Sequence, residues 1–518
     1  MSFKAKADLA HGQARYWQVL HRRAVEREAA LKARIEELQA QLHQSERRLF
    51  GEKSERSKSK ASGKEPRQGT RQRGQQRGAA GHGRRRRGEH LASVEEVWDL
   101  DPHQRCCPQC QRPYDPLAPS EDSEIIEVEV RAHRRVIRRQ RYRPTCQCPE
   151  QPGIVTAPGP AKLIAKSSLG LSVWVAVLID KYLFQRPTYR WLADLRWTQG
   201  VAIAQGTLTD GLQRLLPLFE PVREAIVEKS LQAKHWHADE TGWPVYVKRE
   251  GKSGHRWQLW VFQSQEAVVF QMEPHRAGKV VQAYFKDTAR GILSVDRCSA
   301  YKVLLKSGRI VLAYCWAHVR RDFVRIARDW GQERERWALG WVECIGELYR
   351  LNAARVRVRG DAPAFAAADG TLRQAVERMA AWREAEVADG WLTGIGRKVL
   401  TSMANHWAGL VVFVDHPEVP MDNNTAERAQ RTPVVGRKNY YGSGAEWSGK
   451  LAATMFSIFQ TLLLWKLNPR LWLHAYLEAC AQNGGRPPTD LSAFLPWEMS
   501  EVRRRQMSAL TARRPDGS

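Results

Sequence analysis

Two short stretches decide the fold: Lys234-His235-Trp236-His237-Ala238-Asp239-Glu240 and Ile292-Leu293-Ser294-Val295-Asp296. In the first, strand alternation sets His235, His237 and Asp239 on one face and Trp236 with Ala238 on the other. The second is an apolar run that ends on an acid, the pattern of a buried strand with one charged side chain at its tip. Working outward, Trp243–Lys248, Arg256–Gln263 and Ala267–Met272 read as further strands, and Ala277–Phe285 as a helix. After Asp296 the pattern predicts a helix near Ala300–Leu305, a strand over Ile310–Tyr314 and a helix beginning at Trp316.

Antiparallel strands, then a crossover helix, then a strand returning beside the first describe a ribonuclease H-like α/β sheet. Adjacent central strands of such a sheet bring Asp239 close to Asp296. From Trp316 to roughly Phe413 the chain is helical, rich in Ala, Arg and Trp, and without a strand pattern. It reads as an insertion (316–418) that divides the core into 231–315 and 419–480. Asp422-Asn423-Asn424 then offers strong helix-start residues ahead of Glu427. Glu427 has two readings here. Asn424-Thr-Ala-Glu427 has the spacing of a capping box, in which the glutamate serves its own helix start. Its basic neighbours Arg428, Arg431, Arg437 and Lys438 suit instead a phosphate-bearing ligand beside a carboxylate. Taken as a set, Asp239, Asp296 and Glu427 suit a divalent-cation site for phosphate chemistry.

The whole chain of 518 residues holds 82 Lys and Arg against 56 Asp and Glu, a net charge of +26 that favours a polyanion such as DNA. An apolar content of 43% supplies real cores and argues against general disorder. The first residues lack the apolar core of a signal peptide, and the longest apolar run, near Leu169 to Ile179, is too short to span a bilayer. A cytoplasmic, membrane-free protein is expected.

The N-terminal third divides into distinct segments. Leu31, Ile35, Leu38 and Leu42 step by four and three residues within 1–50, and Leu49 follows seven residues later with Ser45 in the intervening apolar slot. They read as a short coiled-coil seam for self-association, or as one amphipathic helix packed on its own protein. Residues 51–92 form a basic linker; positions 51–90 hold 13 Lys or Arg against four Glu and include Arg84, Arg85, Arg86 and Arg87, suited to non-specific DNA contact. Within 93–165, Cys107-Pro-Gln-Cys110 and Cys146-Gln-Cys148 bracket an alternating segment from Ile125 to Tyr142. Two cysteine knuckles around a β-hairpin read as a zinc ribbon holding structural Zn²⁺ through Cys107, Cys110, Cys146 and Cys148, with reduced core cysteines as the alternative. Residues 166–230 read as helices over Leu169–Leu183, Tyr189–Leu195 and Gln205–Phe219, compatible with a helix-turn-helix DNA reader or with a plain packing layer. The last segment, 481–518, reads as a tail. The fold class expected is therefore multidomain α+β.

These residues also carry a resemblance. Phe50-Gly-Glu-Lys-Ser-Glu55, the cysteine knuckles, Asp239-Glu-Thr, Cys315-Trp-Ala-His-Val-Arg-Arg-Asp-Phe323, Asp422-Asn-Asn-Thr-Ala-Glu427-Arg428, Gly436-Arg-Lys-Asn439 and Leu495-Pro-Trp497 resemble the transposases of the insertion sequence 66 family. The resemblance implies a DDE catalytic domain with Asp239, Asp296 and Glu427 as its acids and a helical insertion before the third. It implies Mg²⁺ at two positions, with Mn²⁺ as a substitute, and DNA partners in the element ends and the target. A homo-oligomer and accessory proteins encoded by the same element are implied as well. Cys315-x-x-His318 matches a motif of such enzymes; as a pair it is too small for a zinc site, so Cys315 and His318, with His237, are expected to support the site from behind. Where the family has Asp-Gly-Tyr, this chain has Asp296-Arg-Cys-Ser-Ala-Tyr301. Two competing functions remain open at the level of sequence: a non-catalytic DNA-binding regulator or inactive relic, and a structure-selective nuclease on the same fold.

Overall fold

A computed structural model describes residues 154–247, 255–286, 289–329, 332–389 and 394–508, with shorter stretches between 21 and 145. The chain forms two compact units, one of residues 1–52 with 137–518 and one of residues 53–136. In the smaller unit, Arg105 pairs with Asp99 at 2.9 Å and its carbonyl accepts the Tyr114 N–H at 2.7 Å. Cys110 is exposed there as a free thiol. Cys107, Cys146, Cys148 and the run Arg84 to Arg87 lie outside the described residues, as do Leu42 and Leu49.

In the larger unit, the described positions from 21 to 39 are helical, with Leu31, Ile35 and Leu38 about half exposed. Farther on, β1 (Arg141–Tyr142) pairs with β2 (Val155–Thr156) in antiparallel fashion. The pairing thus spans the segment of Cys146 and Cys148, and residues 130–140 form no strand where the alternating pattern predicted one.

Three helices precede the main sheet: α1 (Leu171–Tyr182), α2 (Thr188–Gln199) and α3 (Gln205–Leu231). In α3, Leu208, Leu212, Leu215, Phe219, Val222 and Ile226 form one buried stripe at helical spacing. The helix outruns its expected end at Phe219 and passes through Pro217 and Pro221. Each proline removes one backbone bond, but burial of the following turns offsets that loss.

The main sheet comprises β3 (His235–Pro244), β4 (Arg256–Gln263), β5 (Val268–Glu273), β6 (Gly291–Val295) and β7 (Ile310–Tyr314), in the order β5-β4-β3-β6-β7. The first three pair antiparallel, while β6 and β7 add in parallel after the crossover helix α4 (Gly278–Phe285). β3 merges two strands expected from sequence, because Thr241 and Gly242 keep pairing with Leu259 and Gln258 instead of turning. A 3-10 helix over Ser299–Ser307 stands where an ordinary helix was expected.

The helical insertion consists of α5 (Trp316–Asp329), α6 (Gln332–Arg357), α7 (Ala362–Ala388), α8 (Gly394–Asn405) and the short α9 (Trp407–Leu410) and α10 (Val412–Asp415). Its tryptophans are its core. Trp341 stacks on Trp382 at 4.2 Å and on Phe323 at 5.4 Å, and the indoles of Trp337 and Trp341 both donate to Glu386. Arg355, fully buried, donates to Asp369 at 2.6 Å and to the carbonyls of Phe413 at 2.6 Å and Val414 at 2.8 Å. It closes the insertion just before the chain returns to the sheet.

The return is made by α11 (Asn424–Tyr440), then α12 (Glu446–Leu464), α13 (Pro469–Gln482) and α14 (Glu501–Gln506). α12 covers the open edge of β5. Val268 N–H donates to Thr461 Oγ1 at 3.1 Å and Phe270 N–H to Ser457 Oγ at 2.7 Å, so edge amides find partners without another strand. The expected tail is partly built in: Phe494, Leu495, Met499 and Met507 are buried, and Trp472 donates to the Phe494 carbonyl. Among the described residues, no helix is long and apolar enough to cross a membrane.

Candidate metal and nucleic-acid site

Parallel pairing of β3 with β6 aligns His237 with Ser294. Two residues further along each strand stand Asp239 and Asp296, the second just past the last residue of β6. The Asp296 carboxylate accepts the Cys298 N–H at 2.9 Å, which turns the chain back beneath the sheet. Burial pushes the Asp239 carboxyl up to about 7, and the nearby charges of Glu240, Asp296 and Glu427 add to the effect. Four acids therefore feel one another around the middle of β3, the end of β6 and the start of the helix that carries Glu427.

Glu240 was not singled out by sequence. Strand alternation turns it to the face opposite Asp239, where its carboxylate is almost fully buried and takes hydrogen bonds from Arg276 at 2.7 Å and from the Tyr301 hydroxyl. Burial raises its pKa, opposed chiefly by the Tyr301 bond. Carboxylate oxygens of Glu240 and Asp296 and the Cys298 sulfur lie within 4.8 Å of one another. Because Asp296 lies beyond its strand, alternation no longer fixes its direction, and the proximity to Glu240 was not legible in sequence.

Glu427 stands in the first turn of α11, whose N-cap is Asn423. A capping box on Asn424 is thereby ruled out: the helix begins one residue earlier, and the Asn424 N–H donates to Asp422 Oδ1 at 3.1 Å instead of to Glu427, while the Asn423 N–H donates to Cys315 Sγ at 3.2 Å. Glu427 Oε1 is buried without a hydrogen-bond partner and stands 3.7 Å from His318 Nε2. Burial lowers the His318 pKa, with Arg321 adding to the shift and Glu427 opposing it.

Asn423 ties this helix start to the sheet. Its amide donates to the Ala238 carbonyl at 2.7 Å and its oxygen meets His237 Nδ1 at 3.0 Å, so Ala238 and His237, the two residues before Asp239, are held under α11. The buried Gln430, two turns later, donates to the carbonyls of Leu259 at 3.0 Å and Asp239 at 3.4 Å. His237 is thus a brace behind Asp239, its pKa lowered mainly by burial. Cys315 is buried at the end of β7 and donates its own N–H to the Val295 carbonyl at 3.0 Å.

The four basic residues of α11 divide. Arg428, Arg431 and Lys438 are exposed. Arg437 turns inward and donates to Thr241 Oγ1 at 3.0 Å and to the Gly242 carbonyl, which makes it a brace for β3. Gly436 is where α11 passes closest to the α1–α2 corner: any Cβ there would collide with Gln185 and Tyr440. Arg297, next to Asp296, bonds to Asp322 of α5 and to Ser402 of α8, linking the second acid to the insertion.

A mixed sheet that carries acids in the middle of β3 and just past the end of its parallel neighbour β6, in a strongly basic chain, defines a candidate divalent-cation site. The model of the family described as Transposase IS66 family matches residues 166–451, more than half of the chain and both sides of this site. The chain belongs to that family. It is also similar to three uncharacterized proteins of Sinorhizobium fredii. The protein y4qI is 27% identical over 79% of this chain and 76% of its own length. Protein y4jD is 25% identical over 79% and 80%, and y4hP 25% identical over 73% and 70%.

Proposed function

We propose that this protein is a DDE transposase whose ribonuclease H-like core cleaves DNA at the ends of an insertion sequence and joins the freed 3′-hydroxyl to target DNA. The single observation that carries the reading is the parallel register of β3 and β6, which sets Asp239 and Asp296 each two residues beyond the aligned pair His237 and Ser294, with the charges of both Asp296 and Glu427 felt at the Asp239 carboxyl. The donor set fits a hard divalent cation. An unpartnered carboxylate oxygen on Glu427 and a carboxyl on Asp239 pushed up by burial and by its acidic neighbours are both relieved by one. Asp239, Asp296 and Glu427 would together hold Mg²⁺ or Mn²⁺ at two positions. When bound, such a pair activates the attacking oxygen and stabilises the leaving oxygen of an in-line displacement.

The protein's own residues supply the rest. Asn423, His237 and Gln430 fix the backbone around Asp239, and exposed Arg428, Arg431 and Lys438 take DNA phosphates. In the first step water attacks the phosphodiester at the element end, leaving a 3′-hydroxyl and a 5′-phosphate. In the second that hydroxyl attacks a target phosphodiester and displaces its 3′ oxygen. Structural zinc on Cys107, Cys110, Cys146 and Cys148, DNA contact by Arg84 to Arg87, and self-association complete the reading. Asp239→Asn is expected to abolish Mg²⁺-dependent cleavage of cognate ends while DNA binding persists. Strand transfer retained by that variant would defeat the assignment, and cleaved but never joined products from the wild type would identify a nuclease.

A further inference from the structure

The Cys315-x-x-His318 pair lacks a third ligand in sequence, and the fold supplies one. Cys315 at the end of β7, His318 in the first turn of α5 and Glu427 in the first turn of α11 present ligand atoms that all lie within 4.8 Å of one another. We propose that these three residues bind a thiophilic divalent cation of the zinc class, distinct from the ions assigned above to the carboxylates. The inference builds on that reading, because the two sites share Glu427.

Three features point to a ligand. His318 Nε2 and Glu427 Oε1 are 3.7 Å apart, too far for a hydrogen bond. Two ligands each about 2.0–2.2 Å from one tetrahedral zinc stand about 3.3–3.6 Å from each other, so little movement closes the set. Next, Glu427 Oε1 is buried without a hydrogen-bond partner, a cost that hydrogen bonding within the cluster does not relieve. Finally, the sulfur accepts the Asn423 N–H at 3.2 Å and the Cys315 N–H is fixed to the Val295 carbonyl, so the sulfur is held in place at the cluster. Three protein ligands with one open position is an arrangement that zinc adopts in proteins, with water in the fourth position. A thiolate discriminates against Mg²⁺, which takes oxygen ligands, and so separates the two cations chemically. Occupancy withdraws one oxygen of Glu427 from the acids, and zinc is therefore expected to inhibit Mg²⁺-supported cleavage.

The test is a Co²⁺ titration of the full chain, read by thiolate-to-cobalt absorption and by metal equivalents per chain. The wild type is expected to bind one equivalent more than Cys315→Ser, the zinc-ribbon cysteines being common to both. Equal equivalents would overturn the proposal. His318→Gln, at a partly exposed position, gives the same readout should the buried cysteine variant fold poorly. Asp239→Asn separates the two readings: it is expected to lose cleavage and keep the full cobalt absorption. Loss of the Cys315-dependent absorption in that variant would count against a separate site, whatever becomes of the magnesium assignment.

Discussion

Asp239 is costly to fold, and its cost has a sign. An aspartate carboxyl ordinarily titrates near 3.8, and here burial and neighbouring acids push it up to about 7. Between those values the metal-free folded chain keeps a proton that the unfolded chain has released, so stability falls as pH rises through that window. The full displacement caps the effect at about 4 kcal/mol, and sharing of repulsion among four acids brings it to about 1–3 kcal/mol. Melting in chelator is therefore expected to drop between pH 5 and pH 8 in the wild type and to flatten in Asp239→Asn, which should be the more stable protein at pH 8. Mg²⁺ should raise the wild-type melting temperature more at pH 8 than at pH 6. Parallel melting curves for the two proteins would remove this account. At this scale the strand-borne acids were legible, because alternation and an apolar run ending on Asp need no tertiary information. Glu240 and Asn423 were not. Their roles depend on what lies across the sheet, the Tyr301 hydroxyl for one and the Ala238 carbonyl for the other.

Elements were legible where they have one kind of partner. β7 falls on the residues expected of it, as does β6 with Asp296 just past its end, since each is a short apolar run between polar turns. Boundaries failed where packing outweighed a local signal: α3 runs through two prolines, and β3 continues past Gly242 because β4 stays paired with it. Nothing in the local pattern of α12 announced its service to the sheet. Ser457 and Thr461 are four residues apart, hence on one face, and both hydroxyls meet amides of β5. Removing either hydroxyl leaves a buried N–H with no water to replace it, at about 1–3 kcal/mol each. Ser457→Ala and Thr461→Ala are each expected to lower the urea midpoint, with unchanged slope, and the pair to lower it further. A double variant with the wild-type midpoint would mean that the sheet edge is closed by apolar contact alone.

At the scale of the molecule, charge is the property that sequence states most directly. The net +26 resides in segments of different kinds: a folded body with exposed Arg428, Arg431 and Lys438, and the basic run from 51 to 90. Phosphate neutralisation releases counterions, so the logarithm of the DNA association constant falls with that of salt by about 0.9 per phosphate contacted. If Arg84 to Arg87 touch DNA as independent cations, replacing all four by Ala should make that slope shallower by about 3–4 while the preference for cognate ends over random duplex is retained. Arg428→Ala with Arg431→Ala should instead shift the slope by at most about 2 and reduce cleavage more than binding, because those two side chains share a helix with Glu427. Fluorescence anisotropy across a salt series measures both. An unchanged slope in the four-arginine variant would assign the binding charge to the folded body and leave the linker as a tether.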